Sequence, residues 1–594
     1  MAISHGADPT GKSVMPALRP IVMGRRGMVV AGHYLAAQAG LRVLQMGGNA
    51  VDAGVAAGLV INVVHNDMAG FGGVAPAIVK MAGSSRVTSI SGIGRWPAAM
   101  SQELLDREHG GKLPKSALRW VTPAAPDTWL TSLARFGTLP FAEVVKDALY
   151  HAEHGYPVHY FQAANIADQA DAYAAAPHAG AVYAPGGRTV AAGTVVRQPD
   201  LARTFRRLIA IEERQSGFGR AAALAAARND VYQGDIAREL AEHSRRMGGV
   251  LTFEDLAGFS VGLEDAVATT YRGHTLYSCG PWSQGPTLPM ALNILERFDL
   301  RALGWNTAPY LHTVVEALKL AFMDRERWVG DPEFTQVPLQ ALVSKEYAAL
   351  RATLIDPRQA WRTAPPPGDP IHMRATSKPP SWLPQAEPRP GEPEIPGQKD
   401  WTLDTSFVSA VDAEGNIFCA TPSDATLDWA PGLGFGISER GSQVFLHPES
   451  PNSLLPGKRP RLTPNPTLIL KDGVPAFALG TPGNDRQPQA MAQALLNIVE
   501  FGMPAQAAVE APRLASFSFP ATTYPNAYYP GDLYCEEGIP DAVRRELAAM
   551  GHNVKLWPNL TWKAGGLCVI QCDPNSGVLS AGADPRRETY AAGY

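Results

Sequence analysis

One junction constrains this chain more than any other. Residues 364–404 carry Pro365-Pro366-Pro367, Pro379-Pro380, Pro388-Arg389-Pro390, Pro393 and Pro396. Dense proline removes backbone donors and favours extended, solvated chain, so the stretch reads as a linker or mobile arm. It runs into Asp404-Thr405-Ser406 and then two apolar runs, Phe407-Val408 with Ala410-Val411, and Ile417-Phe418-Cys419-Ala420. Between the runs, Asp412-Ala413-Glu414-Gly415-Asn416 offers turn chemistry, because Gly and Asn tolerate positive φ and Asp bonds back to its own backbone. The pattern predicts a β-hairpin with Thr405 at the mouth of its first strand. Two readings fit. One is an ordinary strand after an ordinary linker. The other is a self-cleaving chain, in which hydrolysis before Thr405 frees its amine and lets the new end swing clear.

The hairpin stretch resembles the start of the small subunit in the gamma-glutamyltransferase family. Its members mature by cutting before a Thr followed by Thr/Ser-x-x-Ser-x-Val-Asp-x-x-Gly-Asn. Thr405, Ser406, Ser409, Val411, Asp412, Gly415 and Asn416 fall on that pattern. Other family-like strings stand in order along nearly the whole chain. They include Gly47-Gly48-Asn49-Ala50-Val51-Asp52-Ala53, Trp282-Ser283-Gln284-Gly285, Glu316 to Arg325, Lys458 to Thr463 and Gly480-Thr481-Pro482-Gly483-Asn484. The resemblance implies an α+β fold, a four-layer αββα sandwich of the N-terminal-nucleophile hydrolase type. It would be built from fragment 1–404, with the arm 364–404, and fragment 405–594. Periodicity alone says only mixed α/β.

The resemblance also implies roles. Thr405 is the expected nucleophile, and Ser423 falls where the family has a Thr or Ser that hydrogen-bonds it. Gly483 and Asn484 occupy a turn whose consecutive N–H groups form an oxyanion hole. Asn484 replaces a Gly there, and Asn tolerates the left-handed region, so the donors survive. Arg95 lies where the family places a carboxylate clamp, a task suited to a planar guanidinium, although no Glu follows it here. Thr463 is expected near the substrate. His65 and Asp67 offer a second, weaker pair of catalytic candidates, for which a structural role at a turn is the alternative.

A Thr hydroxyl needs a base beside it. An α-amine on the same residue is placed by covalent geometry, and its pKa of about 7.7–8.0 suits proton transfer near neutral pH. The expected reaction is attack by Thr405 on an amide carbonyl, then transfer of the acyl group to water or an acceptor amine. Relatives that bind glutathione hold the glutamyl ammonium with acidic and amide side chains. The corresponding run here is Ser438-Glu439-Arg440-Gly441-Ser442-Gln443-Val444-Phe445. Val444 stands where the acidic residue would, with Glu439 as a nearby substitute. An unpaired buried ammonium is costly, so the expectation is a small carboxylate-bearing amide. A true gamma-glutamyltransferase or glutathione hydrolase is the alternative, and an unprocessed, non-catalytic binding protein is the alternative of another class.

Composition narrows the rest. The chain has 594 residues, 45% hydrophobic and 18% charged, which describes a large-cored globular protein. A net charge of −4 without a basic block gives no reason to expect nucleic acid or an anionic membrane. The 14 His show no His-x-x-x-His spacing, and neither cofactor nor metal is expected. Cys279, Cys419, Cys535, Cys568 and Cys572 are odd in number and lie mostly in apolar runs, which favours reduced thiols. With no apolar leader and no membrane-length run, a cytoplasmic enzyme is expected. Its partners would be a small-molecule amide and the two associated fragments, with a homo-oligomer of such heterodimers left open.

Overall fold

The computed structural model describes residues 17–382 and 405–594. Its frame is a pair of seven-stranded sheets. The first runs in the order Tyr590–Gly593, Gly27–Ala31, Val408–Asp412, Ile417–Ala420, Ala77–Lys80, Val87–Ile90 and Leu263–Asp265. The second runs Val22–Gly24, Leu579–Ala583, Cys568–Cys572, Val474–Gly480, Thr467–Lys471, His274–Ser278 and Val267–Tyr271. Neighbours in both sheets are antiparallel.

Side chains alternate between faces along a strand, and here both faces are dry. Met28, Val30, Phe407, Val411, Ile417 and Cys419 of the first sheet meet Leu468, Leu470, Ala478, Cys568 and Ile570 of the second. The intervening Val29, Ala31, Val408, Ala410, Phe418 and Ala420 turn outward onto the helices Tyr34–Gln45, Ala50–Val64 and Ala125–Phe136. On the far side Ile469, Leu479 and Val569 pack against Thr287–Leu295, Ala308–Trp328 and Gln487–Val499. The result is the four-layer αββα sandwich. Double-sided burial explains why the strands read as continuous apolar runs without polar alternation.

The predicted hairpin is present, with Val408 paired to Ala420 and Val411 to Ile417. Its turn is tied into the body by one carboxylate. Asp412 accepts from the Asn416 amide at 2.9 Å and side chain at 2.7 Å, and from Ala50 N–H at 2.8 Å. Ala50 opens the Ala50–Val64 helix, which Asn49 and Asp52 cap reciprocally. All of that helix is buried, and its glycines admit large neighbours: a Cβ at Gly54 would overlap the Phe418 ring, and one at Gly58 would crowd Trp129. The Gly47–Ala53 string therefore braces the hairpin.

The proline-rich arm divides in two. Residues 364–382 lie on the body, where Gly368 N–H donates to Asp324 at 2.7 Å and Trp328 Nε1 donates to Gly368 O at 3.0 Å. Residues 383–404 lie outside the described residues. The five cysteines are free thiols, four of them buried. Among the described residues no helix is long and apolar enough to cross a membrane.

Candidate active site

The two sheets bring two distant chain segments to one end of the sandwich. A Cβ at Gly480 would overlap the Phe407 ring, so the start of the hairpin and the end of the Val474–Gly480 strand touch. Thr405 lies two residues before the first contact point, and the Gly483 turn three residues after the second.

Thr405 is held by backbone on both sides. It forms an isolated bridge to Ser423, Ser406 N–H donates to Pro422 O at 2.8 Å, and Gly32 N–H donates to Phe407 O at 3.0 Å. Its Oγ1 is 2.7 Å from Ser423 Oγ, with both residues buried. A third residue completes the group. Arg440, fully buried on the short Arg440–Ser442 turn, donates from Nη2 to Ser423 Oγ. Ser438 Oγ bonds Asp424 at 2.5 Å and receives Arg440 N–H at 3.3 Å. Burial pushes the Asp424 carboxyl up, against the pull of Arg440.

The same turn reaches the other segment through Gln443. Its Nε2 donates to Thr463 Oγ1 at 3.0 Å and Asn484 Oδ1 at 3.4 Å, and its Oε1 accepts from Thr463 N–H at 2.9 Å. Gln284 Nε2 donates to Thr463 O at 2.7 Å and Asn484 O at 3.0 Å. Behind them Arg325 donates to Gln284 Oε1 at 2.9 Å and Asp485 at 2.5 Å, while Thr522 donates twice to Asp485. Burial alone would raise the Asp485 carboxyl, but Arg325 and Thr522 outweigh it and hold it below its ordinary value. Gly483 and Asn484 have φ of 125° and 51°. Among the described residues neither of their amides donates to a protein acceptor. Two successive unspent N–H groups in a braced, buried turn are what an oxyanion requires.

The remaining sequence candidates lie elsewhere or are already engaged. The Arg95 guanidinium makes a two-toothed pair with Glu333, at 2.9 and 2.7 Å, and bonds Gly457 O at 3.0 Å. Arg95 in turn holds the Glu333 carboxyl below its usual range. Val444 is buried in an apolar cluster with Trp96, Met100 and Leu454. Glu439 turns into a cavity of about 660 Å³ shared with Lys115, Arg119 and Asp428. Burial, then Asp424 and Asp428, push its carboxyl up to about 8. His65 and Asp67 separate. Asp67 accepts from Asn165 at 3.0 Å, while His65 packs against His159 and is kept neutral by burial, then by His159 and Arg587. His65 nonetheless borders the Thr405 segment, since a Cβ at Gly32 would meet both its Nδ1 and Ser406 Oγ.

Only one group among the described residues has metal-like convergence, His312, Glu316 and His552. Its atoms are already engaged: His312 Nδ1 faces His552 Nε2 at 2.9 Å, His312 Nε2 faces Asp356 O at 2.7 Å, and Lys319 sits 2.8 Å from Glu316. A cation there would have to displace the lysine ammonium.

With this geometry in place, the comparisons decide the family. The gamma-glutamyltranspeptidase sequence pattern matches residues 36–594. The chain belongs to that family. It is 32% identical over 575 residues to the Acylase ACY 1 proenzyme of Pseudomonas sp. (strain SE83), covering 94% of this chain and 92% of that one. It is 29% identical to the glutathione hydrolase-like YwrD proenzyme of Bacillus subtilis (strain 168), over 96% and 99% of the two chains. The crystal structure of cephalosporin acylase from Bacillus halodurans superposes with a TM-score of 0.82 at 27% identity, over 99% of both chains. This gamma-glutamyltranspeptidase-family chain is thus a hydrolytic enzyme with the N-terminal-nucleophile fold.

Sequence reasoning paired Thr405 with Ser423 and placed the Gly483 turn. No role for Arg440 or Gln443 was legible there, and Arg325 stood out only as the end of the Glu316 to Arg325 string. A positive side chain next to Glu439 and an amide side chain next to Val444 were legible as residues, but nothing in the string says which way a short 3-10 turn aims them.

Proposed function

We propose that this protein is a proenzyme that cuts its own chain before Thr405. It then hydrolyses the amide bond of a small, carboxylate-bearing substrate through an acyl-Thr405 ester. The observation that carries this reading is the 2.7 Å contact between Thr405 Oγ1 and Ser423 Oγ, at the end of the sandwich that also holds the unspent Gly483 and Asn484 amides. In the cut form, the Thr405 amine takes the hydroxyl proton as Oγ attacks the carbonyl carbon. The two amides hold the oxyanion, and collapse expels the amine, which takes the proton. Water then attacks the ester by the same route in reverse.

Strands from both sides of residue 404 share each sheet, with Gly27–Ala31 hydrogen-bonded between Tyr590–Gly593 and Val408–Asp412. This supports two fragments that stay associated. For the substrate, Val444 in its apolar cluster and Glu439, protonated at neutral pH, provide no ready anion for an ammonium. That favours an acyl donor such as those of acylases over a free γ-glutamyl group. The likeness to the YwrD protein keeps glutathione hydrolysis as the second reading.

Denaturing electrophoresis with mass spectrometry of the smaller band tests the cut, which should begin Thr405-Ser406-Phe407. Comparing glutaryl-p-nitroanilide with γ-glutamyl-p-nitroanilide tests the substrate, the two differing only by the ammonium. Faster turnover of the γ-glutamyl compound would favour the second reading.

A further inference from the structure

We propose that Arg440 is a positioning residue for the nucleophile, acting through Ser423. The proposal rests on the reading of Thr405 given above. A guanidinium only donates, so the contact from Arg440 Nη2 makes Ser423 Oγ an acceptor. A hydroxyl that accepts from a cation becomes a stronger donor through its own hydrogen, because bonds in a chain polarise one another. Thr405 Oγ1, at 2.7 Å, lies within reach of that hydrogen.

The direction of this chain matters. If Thr405 gave its hydrogen to Ser423, it could not give it to its own amine. With Arg440 donating to Ser423 and Ser423 to Thr405, the Thr405 hydrogen stays available for the amine. The negative charge gathering on Oγ as the carbon–oxygen bond forms is met by a donor already polarised by a cation. No proton leaves Ser423 or Arg440. The proton balance is the one above, from Thr405 Oγ to the amine and on to the departing amine.

The surroundings hold this arrangement. Arg440 is completely buried, and its turn is fixed at one end by Ser438 on Asp424 and at the other by Gln443 on Thr463 and Asn484. Asp424 lies close enough to interact with the Arg440 charge. One short turn thus sets the nucleophile's hydroxyl and the anion-holding turn together. With Arg95 paired to Glu333, Arg440 could instead be taken for the substrate's carboxylate clamp. That role predicts a different kinetic signature.

The test measures kcat and KM with glutaryl-p-nitroanilide, and with p-nitrophenyl acetate as a second acyl donor, in five purified variants, the rates of the four that keep Thr405 being expressed per cut small fragment. Arg440→Met should lower kcat about 100-fold and leave KM within about threefold, the size of one lost stabilising donor. Arg440→Lys, which keeps the charge, should recover part of that loss. Ser423→Ala should cost about the same as Arg440→Met, and the double variant no more than about threefold beyond Ser423→Ala alone, because both act on one oxygen. Losses that multiply would overturn the relay, and so would a rise in KM with kcat retained. If Arg440→Met does not fold, Arg440→Lys in the Ser423→Ala background gives the same comparison. Thr405→Ala separates the two levels. Retained turnover in that variant removes the nucleophile reading itself, whereas its inactivity beside multiplying losses removes only the role of Arg440.

Discussion

The two arms of the site are built on opposite plans. On the arm of the proposed nucleophile, Thr405, Ser423 and Arg440 form a single file of side chains in which each atom's chemistry counts. On the arm proposed to hold the oxyanion, the groups on offer are backbone amides, and the side chains of Gln284, Gln443, Thr463, Arg325 and Asp485 hold the turn still. A hydroxyl can be tuned by one neighbour. A peptide group can be aimed only by fixing the chain on either side of it, which takes a network. Substitutions should therefore fail differently on the two sides, through rate on the first and through stability on the second.

Thr405→Ala should give the largest effect, a loss of turnover of at least about 10⁴-fold and a single band on a denaturing gel. Its folding stability in urea should change little. The opposite profile belongs to Asp485→Asn. Removing that charge leaves Arg325 with one fewer carboxylate in a dry site, a change that typically costs about 3–5 kcal/mol, read as a shift of the denaturation midpoint. A smaller split should appear at Asn484, whose φ of 51° lies in the left-handed region. Asn484→Ala should cost about 1–2 kcal/mol, while Asn484→Gly should keep both the turn and, within about threefold, the rate, since the amide is retained. Equal activity loss in both Asn484 variants would mean that the side chain, not the backbone, does the work.

The smallest effect sharpens the contrast through pH. Glu439, beside Arg440, has its carboxyl raised from 4.5 to about 8. Its contribution to stability is complete below pH 4.5 and is lost as pH rises towards 8. Asp485 has the reverse sign. Its carboxyl is depressed, so its contribution is present above 3.8 and is lost as pH falls through its lowered folded value. Glu439→Gln should accordingly flatten the decline in stability between pH 4.5 and 8, while Asp485→Asn should remove stability throughout the neutral range. Denaturation midpoints across pH measure both.

Much of the frame was legible from local chemistry. The hairpin turn is specified by Asp412, Gly415 and Asn416, and the helix after Asn49 by its capping residues, all within a few positions of one another. The pairing of Thr405 with Ser423 followed from family resemblance, and the four layers did too. The arm was half legible: its prolines speak for extended chain, but its N-terminal part is seated by Asp324 and Trp328, which the local composition does not record. Arg95 shows the same limit, because its partner Glu333 is far away in sequence. Arg440 and Gln443 were the least legible of all. Their roles depend on a turn of three residues whose rotation decides which side chain meets which arm.

The interleaving of strands has a consequence for the order of events in the life of the molecule. Since the Gly27–Ala31 ribbon is sewn on both edges to chain from beyond residue 404, neither portion possesses a complete sheet by itself. Weaving has to come first and any snip afterwards. A break before Thr405 would then loosen one thread in a finished cloth, changing what a single loose end can do while the garment keeps its shape.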